Sequence, residues 1–383
     1  MWSNAPFAQT GYGTQTAQLV RRLHADGIPV SVSCNYGLQC TQTEWEGIPL
    51  YPAGMDGYSQ DVIVAHWWDW ARRDRSVPTL LMTLFDVWIM KAEGLPEVPR
   101  IASWVPIDHL PCPTEVRAWC ERPNVTPIAM AKFGRDMLVQ AGIDCLYVPH
   151  AVEPVFHLTP LLPGGGTVRD LIEVDDDAFV VMINAANKGV VPCRKGFPEM
   201  FMAFAVFAAQ HPEAILYLHT DTQPGPAGID LDDLAAACGI PPTKIRKADV
   251  YALRMGIPQD ALAALYTAAD VLLATSMGEG FGIPVIEAQA CGTRVIVSDW
   301  TAQPELVGDG WAVPTQPFWD PMHRAWFGTP DMPKIAEALE AAYHAERGPS
   351  VKAIEFAEQY GADLVYDDYW RPALDRLAEE MAS

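Results

Sequence analysis

An α/β chain of two doubly wound domains is what this sequence predicts, and three observations carry the prediction. At 383 residues the chain exceeds what one compact core holds. Apolar runs of strand length alternate with helical patterns through both halves, which implies parallel sheets covered by helices. The third observation is a single stretch. A buried-strand run, Asp270-Val-Leu-Leu-Ala274, opens into Thr275-Ser-Met-Gly-Glu-Gly-Phe-Gly282 and then a helix, with Pro284 in its first turn and Gly292 at its stop. Gly278, Gly280 and Gly282 let backbone N–H groups approach a ligand, and the helix N-terminus adds its dipole, so the stretch suits phosphate. Glu279 and Glu287, eight apart, do not serve an anion; they suit the hydroxyls of a sugar or ribose.

Composition narrows the class. Half the residues are hydrophobic, yet no uninterrupted apolar run reaches the length of a membrane span. Met1-Trp-Ser-Asn-Ala-Pro6 has no basic region followed by an apolar core, so it does not read as a signal peptide. The eight cysteines (34, 40, 112, 120, 145, 193, 238, 291) lack metal-ligand spacing and suit a reducing cytoplasm, so no structural zinc is expected. A net charge of −22 opposes non-specific nucleic-acid binding by the whole surface. Residues 1–150 hold 11 Lys/Arg and 15 Asp/Glu, so most of the acidity belongs to the second half.

Glu279-Gly-Phe-Gly-Ile-Pro-Val-Ile-Glu287, continued by Ala288 and Gly292, resembles the E-x7-E signature of retaining GT-B glycosyltransferases, most closely glycosyltransferase family 4. That resemblance implies two Rossmann-like domains facing a cleft, an acceptor half (1–158) and a nucleotide-sugar half (168–358), with a last helix (360–383) packing back on the first. It also implies that Glu279 holds donor sugar hydroxyls and Glu287 the ribose, with Gly280, Phe281 and Gly282 on the donor.

In chain order, Gly11 and Gly13 mark a tight loop before an amphipathic helix over about 14–26; in the family such a loop lies near donor phosphates or acceptor. Only Met1–Ser3 precede it, so either the first strand is stunted or the chain begins late. Strands are expected over 28–34, 61–65 and 79–85. Next to the second comes His66-Trp67-Trp68-Asp-Trp70-Ala-Arg72-Arg73-Asp-Arg75, three tryptophans and three arginines in ten residues. Two readings stand: an aromatic helix face packed on the sheet with solvated arginines, or an acceptor platform of rings and guanidinium groups. Leu84-Phe85-Asp86 occupies the place of a family His-Asp pair, with Phe85 where the histidine stands and Asp86 matching its partner. Asp108 and His109, ending a strand at Trp104-Val-Pro-Ile, are the substitutes as acceptor-facing groups or proton acceptor, or else only turn residues. A strand over 125–130, a helix from Ala131, a hinge-like Tyr147-Val-Pro-His150 and a glycine-rich Leu161–Thr167 linker close the first half.

The second half opens with a strand over 178–184. Arg194-Lys195-Gly196 follows, leading into a helix over 198–210; it resembles the family's diphosphate clamp, two cations offsetting the charge of the leaving nucleoside diphosphate. A strand over 214–219, helices over 231–238 and 258–269 and a strand over 294–297 complete the alternation. Tyr251 falls where the family places the donor base, and Gln303-Pro-Glu-Leu306 resembles a structural turn. The segments 351–360 and 362–381 read as helical, with a break at Pro372.

The expected reaction transfers a hexose from a nucleotide-sugar to an acceptor hydroxyl. It needs no metal or other cofactor, since no Asp-x-Asp pair occupies a suitable loop. Uracil, guanine and adenine stay open as the base, a UDP-sugar being the default. Thr10-Gly-Tyr-Gly13, Asp86-Val-Trp88 and Arg-Lys-Gly look like glycosyltransferases of phages and their bacterial hosts. A hydroxymethylpyrimidine in DNA, a virion protein and a cell-surface glycan are then the acceptors to weigh, DNA first because of residues 66–75. A non-catalytic nucleotide-sugar-binding protein is the reading from another class.

Overall fold

The computed structural model describes residues 1–189 and 191–382. The chain divides into two compact units, Met1–Ala151 with Pro321–Ala325 and the segment from Ala362, and Val152–Asp320 with Trp326–Gly361. Ser383, the end of the expected last helix, lies outside the described residues.

The first unit is built on eight strands: β1 (Trp2–Ser3), β2 (Val32–Cys34), β3 (Thr43–Trp45), β4 (Ile48–Tyr51), β5 (Leu81–Leu84), β6 (Ile101–Val105), β7 (Val125–Ala129) and β8 (Leu146–Tyr147). Their order is β3-β4-β2-β1-β5-β6-β7-β8, parallel except for the β3–β4 hairpin. The stunted β1 is therefore central. Trp2 is fully buried and pairs with Ser33 on one side and Thr83 on the other. The sheet changes direction between β1 and β5, the place where such sheets bind ligands beyond their carboxyl ends.

Three expectations in this unit need correction. Residues 61–65 do not form a strand; Ile63–Ala71 is a helix. Its core-facing residues, Ile63 and Trp67, are four apart, while Ala65 and Trp68 face outward. A short β-branched run cannot reveal that period. The true neighbour of β2 is β4, masked by Pro49 and joined to β3 by Glu46-Gly47, both at positive φ as a two-residue hairpin turn requires. Gly11 and Gly13, in turn, lie inside the first turn of the helix Gly11–Ala25 instead of a loop before it. Thr10 caps that helix through Gly13 N–H (3.0 Å), and a Cβ at Gly13 would stand 2.2 Å from the Ala8 carbonyl oxygen. At the chain's end the expected break precedes Pro372. The helix opens into a π turn over Tyr366–Trp370, and Pro372 sits in the first turn of Arg371–Ala382, where its missing N–H costs nothing. Trp370 is buried there, edge-on to Trp104 of β6 at 4.8 Å.

The second unit carries β9 (Phe179–Asn184), β10 (Ala214–His219), β11 (Ile245–Lys247), β12 (Val271–Ala274), β13 (Arg294–Ser298) and β14 (Gly310–Val313). All pair in parallel, in the order β11-β10-β9-β12-β13-β14, so direction reverses between β9 and β12. This is the doubly wound sheet expected. Its core is anchored by Phe197–Ala208, a helix that buries Phe197, Met200, Phe201, Phe204 and Phe207 along one face. A hairpin absent from the sequence reading, β15 (Thr315–Asp320) with β16 (Ala325–Pro330), ends against the glycine loop, Gly328 N–H donating to the Met277 carbonyl at 2.8 Å. No helix of the described residues is long and apolar enough to cross a membrane.

Candidate active site

In the second unit the predicted donor residues other than Tyr251 converge on the reversal point. The loop after β12 carries Glu279, and the helix Ile283–Ala290 that follows carries Glu287. Gly282, at φ +119°, turns the chain into this helix, and Gly292, at φ +85°, releases it. Arg194 and Lys195 arrive from the loop after β9. Gly196, at φ +70°, lets that loop press on the other: a Cβ there would stand 2.3 Å from the Thr275 carbonyl oxygen. Met277 N–H then donates to the Arg194 carbonyl at 2.8 Å.

The charges meet here. Lys195 Nζ donates to Glu279 Oε1 at 2.5 Å, while Arg194 Nη1 reaches the Gly278 carbonyl at 2.6 Å and Glu279 Oε2 at 3.4 Å. Thr301 Oγ1 fixes the Glu279 backbone N–H at 3.0 Å. Burial alone would push the Glu279 carboxyl up. The charges of Lys195 and Arg194, with hydrogen bonds from Lys195 and Ser276, outweigh it and hold the carboxyl below its usual range. Glu279 is thus an anion with its two cations in place, its side chain only 16 % exposed.

Glu287 differs. It is 7 % exposed, no cation of the described residues pairs with it, and burial raises its carboxyl to about 7 despite the hydrogen bond from Tyr266. Phe281 is buried edge-on to Tyr360, a wall of the loop. Gln289 braces the Pro304-Glu-Leu306 turn, donating to the Leu306 carbonyl at 2.7 Å and accepting from Gly308 N–H, also at 2.7 Å. Tyr251 stands apart. It is 72 % exposed on the helix after β11, three places along the sheet from β12.

In the first unit the carboxyl ends of the strands present Gly11 and Gly13 after β1, Asp86 after β5, and Asp108 with His109 after β6. His109 is buried, its Nδ1 2.7 Å from Asp108 Oδ1 and its ring 4.7 Å from that of His323. The carboxylate fixes the orientation of the imidazole. Phe85 cannot substitute for a histidine: it is core, edge-on to Trp2 and Tyr12.

The tryptophan–arginine segment divides. His66 bonds Ser33 Oγ at 2.9 Å and stacks on Tyr51, and Trp67 is buried, as in the packed-helix reading. Arg73 lies over Trp70 and reaches Tyr51 Oη at 3.2 Å. Trp68 and Arg72, with Arg75, line a groove of about 600 Å³ together with Thr79 and Arg100. Thr79 and Arg100 precede β5 and β6, so this groove opens at the amino ends of the strands. Asp86, Asp108 and His109 are at the opposite edge. The structure therefore does not join the expected platform to the expected proton acceptor.

Sequence reasoning also missed Asn184, Tyr266 and Thr301. Asn184 left one signal, a polar residue closing an otherwise apolar strand.

Comparison with known proteins gives a consistent class. Residues 252–359 match the family model "Glycosyl transferases group 1". Over 226 residues the chain is 30% identical to a D-inositol 3-phosphate glycosyltransferase of Streptomyces scabiei (strain 87.22), which covers 56% of this chain and 48% of that protein. The chain spans about half the length, or less, of the curated relatives it matches. Among solved structures it is similar to sucrose-phosphate synthase from Thermosynechococcus elongatus (TM-score 0.75, 15% identity, 99% and 98% of the two chains). It is also similar to the Anabaena protein Alr3699/HepE solved with UDP-glucose (TM-score 0.68, 13% identity, 98% of each). At such identities these structures speak to fold, which is GT-B. Fold and sequence likeness together support a GT-B glycosyltransferase.

Proposed function

We propose that the protein is a retaining glycosyltransferase of the family 4 type, which moves a hexose from a nucleotide-sugar, by default a UDP-sugar, to an acceptor hydroxyl. One observation carries this reading: Arg194, Lys195 and Glu279 meet at the helix N-terminus where the second sheet reverses direction. A diphosphate at that place gains two cations and first-turn N–H groups as its charge grows during departure, the role a metal fills elsewhere. Glu279, kept ionised, accepts from sugar hydroxyls, and Glu287 accepts from the ribose. The transition state is oxocarbenium-like, as in other glycosyl chemistry.

On the acceptor side Asp108–His109 serves as proton acceptor and Asp86 as a hydroxyl ligand. The Trp68–Arg72 groove opens at the amino ends of its sheet's strands while His109 follows the carboxyl end of β6, which counts against a flipped DNA base held in that groove. A small polyhydroxylated acceptor or a glycan fits better, in line with the inositol phosphate named for the Streptomyces relative. Incubation with UDP-, GDP- and ADP-sugars plus EDTA, followed by NMR, tests the whole reading. One donor should be consumed with retained anomeric configuration; Glu279→Ala should abolish this, and Arg72→Ala with Arg73→Ala should leave it intact. Binding without turnover of any donor, unchanged in Glu279→Ala, would instead favour the non-catalytic reading.

A further inference from the structure

Behind Glu287 runs a buried chain of side chains that the donor reading does not use. Asn184, the last residue of β9, donates from Nδ2 to Tyr266 Oη at 2.6 Å, and Tyr266 Oη donates to Glu287 Oε2 at 2.9 Å. The direction is fixed by chemistry. An amide nitrogen only donates, so the tyrosine oxygen accepts from Asn184 and its single proton points at the carboxylate. Tyr266 is fully buried on the helix Gln259–Ala268, whose backbone Thr293 pins, Oγ1 donating to the Tyr266 carbonyl at 2.6 Å. Its hydroxyl cannot turn elsewhere without leaving two buried polar groups unmatched.

Consequently the two oxygens of Glu287 are unlike. Oε2 is committed to Tyr266. Oε1 accepts no hydrogen bond from the described residues and is not fully enclosed, so it is the oxygen left open to a ligand. We propose that Tyr266, oriented by Asn184, is the positioning residue that holds Glu287 with one oxygen locked and the other presented to a hydroxyl of the donor's ribose. This rests on the donor reading above and deepens it. A second consequence concerns ionisation. The titratable groups facing Glu287 are Tyr266 and Cys291, and neither supplies a positive charge. The Tyr266 proton is what offsets burial and keeps the carboxylate within reach near neutral pH. Removing it moves ionisation to higher pH, and ribose binding should follow.

The test uses the full chain and two readouts. By calorimetry with UDP, GDP and ADP, the nucleotide that wild type binds best should bind about tenfold more weakly to Tyr266→Phe at pH 7, as expected for one hydrogen bond to a charged group. The deficit should shrink at pH 8.5, and the same substitution should have no further effect on top of Glu287→Gln. Without ligand, the unfolding temperature of wild type should fall relative to that of Glu287→Gln from about pH 5 to about 7 and then level, because the folded carboxyl keeps its proton where the unfolded one has lost it. With Tyr266→Phe in both backgrounds that relative fall should continue above pH 7. Equal loss on Tyr266→Phe with and without Glu287, or an unmoved pH profile, overturns the positioning role while leaving the donor reading intact. Unaltered affinity in Glu287→Gln, or no binding of any nucleotide to wild type, sinks the donor assignment and this role with it.

Discussion

Lys195→Ala should lower kcat/KM for donor turnover by about 10²–10³-fold, the effect of removing one preorganised donor from a developing anion, or about 2.7–4 kcal/mol. Lys195 is held for this task from two sides. Its ammonium lies on Glu279, and its backbone is set by the contact of Gly196 with Thr275. Arg194 remains in the variant, so donor affinity should fall less than kcat. Stability carries its own signature. Lys195 helps hold the Glu279 carboxyl below its usual range, and a depressed carboxyl contributes stability above the unfolded pKa that is lost as pH falls through the folded value. Lys195→Ala raises that folded value and reduces the contribution, so acid unfolding should begin at a higher pH. Steady-state kinetics and thermal unfolding from pH 3 to 7 check both halves. Unchanged kinetics with only an altered acid limb would reduce Lys195 to a structural cation.

Gly196→Ala should be among the most damaging single-methyl additions in the second unit. Its φ of +70° is left-handed, costing a non-glycine residue about 1–2 kcal/mol. The new Cβ would also stand 2.3 Å from a backbone oxygen, Thr275 O, which no rotamer change relieves. Together a loss of roughly 3 kcal/mol is expected, or about 6–12 °C in the unfolding temperature of a unit this size. Activity should fall further than stability, because relief of the clash moves Arg194 and Lys195 off the glycine loop. Gly164→Ala is the control: its φ is not left-handed and a Cβ there meets nothing within 4 Å, so calorimetric scans should leave it at the wild-type temperature.

What could be read from the residues follows from where the physics is local. The donor loop is a contiguous arrangement of strand, glycines and helix, so Glu279 and Glu287 were legible from their own stretch. The strands β9, β10 and β13 were equally plain, being apolar runs of buried length between polar turns. Less visible were features set by partners distant in sequence. Residues 61–65 have strand composition, yet the helix they begin is decided by Trp67 reaching the core one turn after Ile63. Tyr266 and Asn184, 82 positions apart, gain their meaning only when β9 and the helix before β12 bring them together. The tryptophan–arginine segment shows the converse. Its unusual composition suggested a role in recognition, but composition does not say at which end of a sheet a helix finishes. Arg72 follows the carboxyl end of that helix, beside the amino ends of β5 and β6.

In the proposed donor site Arg194, Lys195 and the glycine loop bind a diphosphate. Calorimetric comparison of a nucleoside diphosphate with its parent nucleoside, on wild type and Lys195→Ala, tests it most directly. Wild type should prefer the diphosphate by about 100-fold, equivalent to about 2.7 kcal/mol for charge-assisted bonds to two cations, and Lys195→Ala should lose about tenfold of that preference, the share of one cation, while binding the nucleoside as before. Equal affinity of wild type for nucleoside and diphosphate, or a preference undiminished without Lys195, would contradict it.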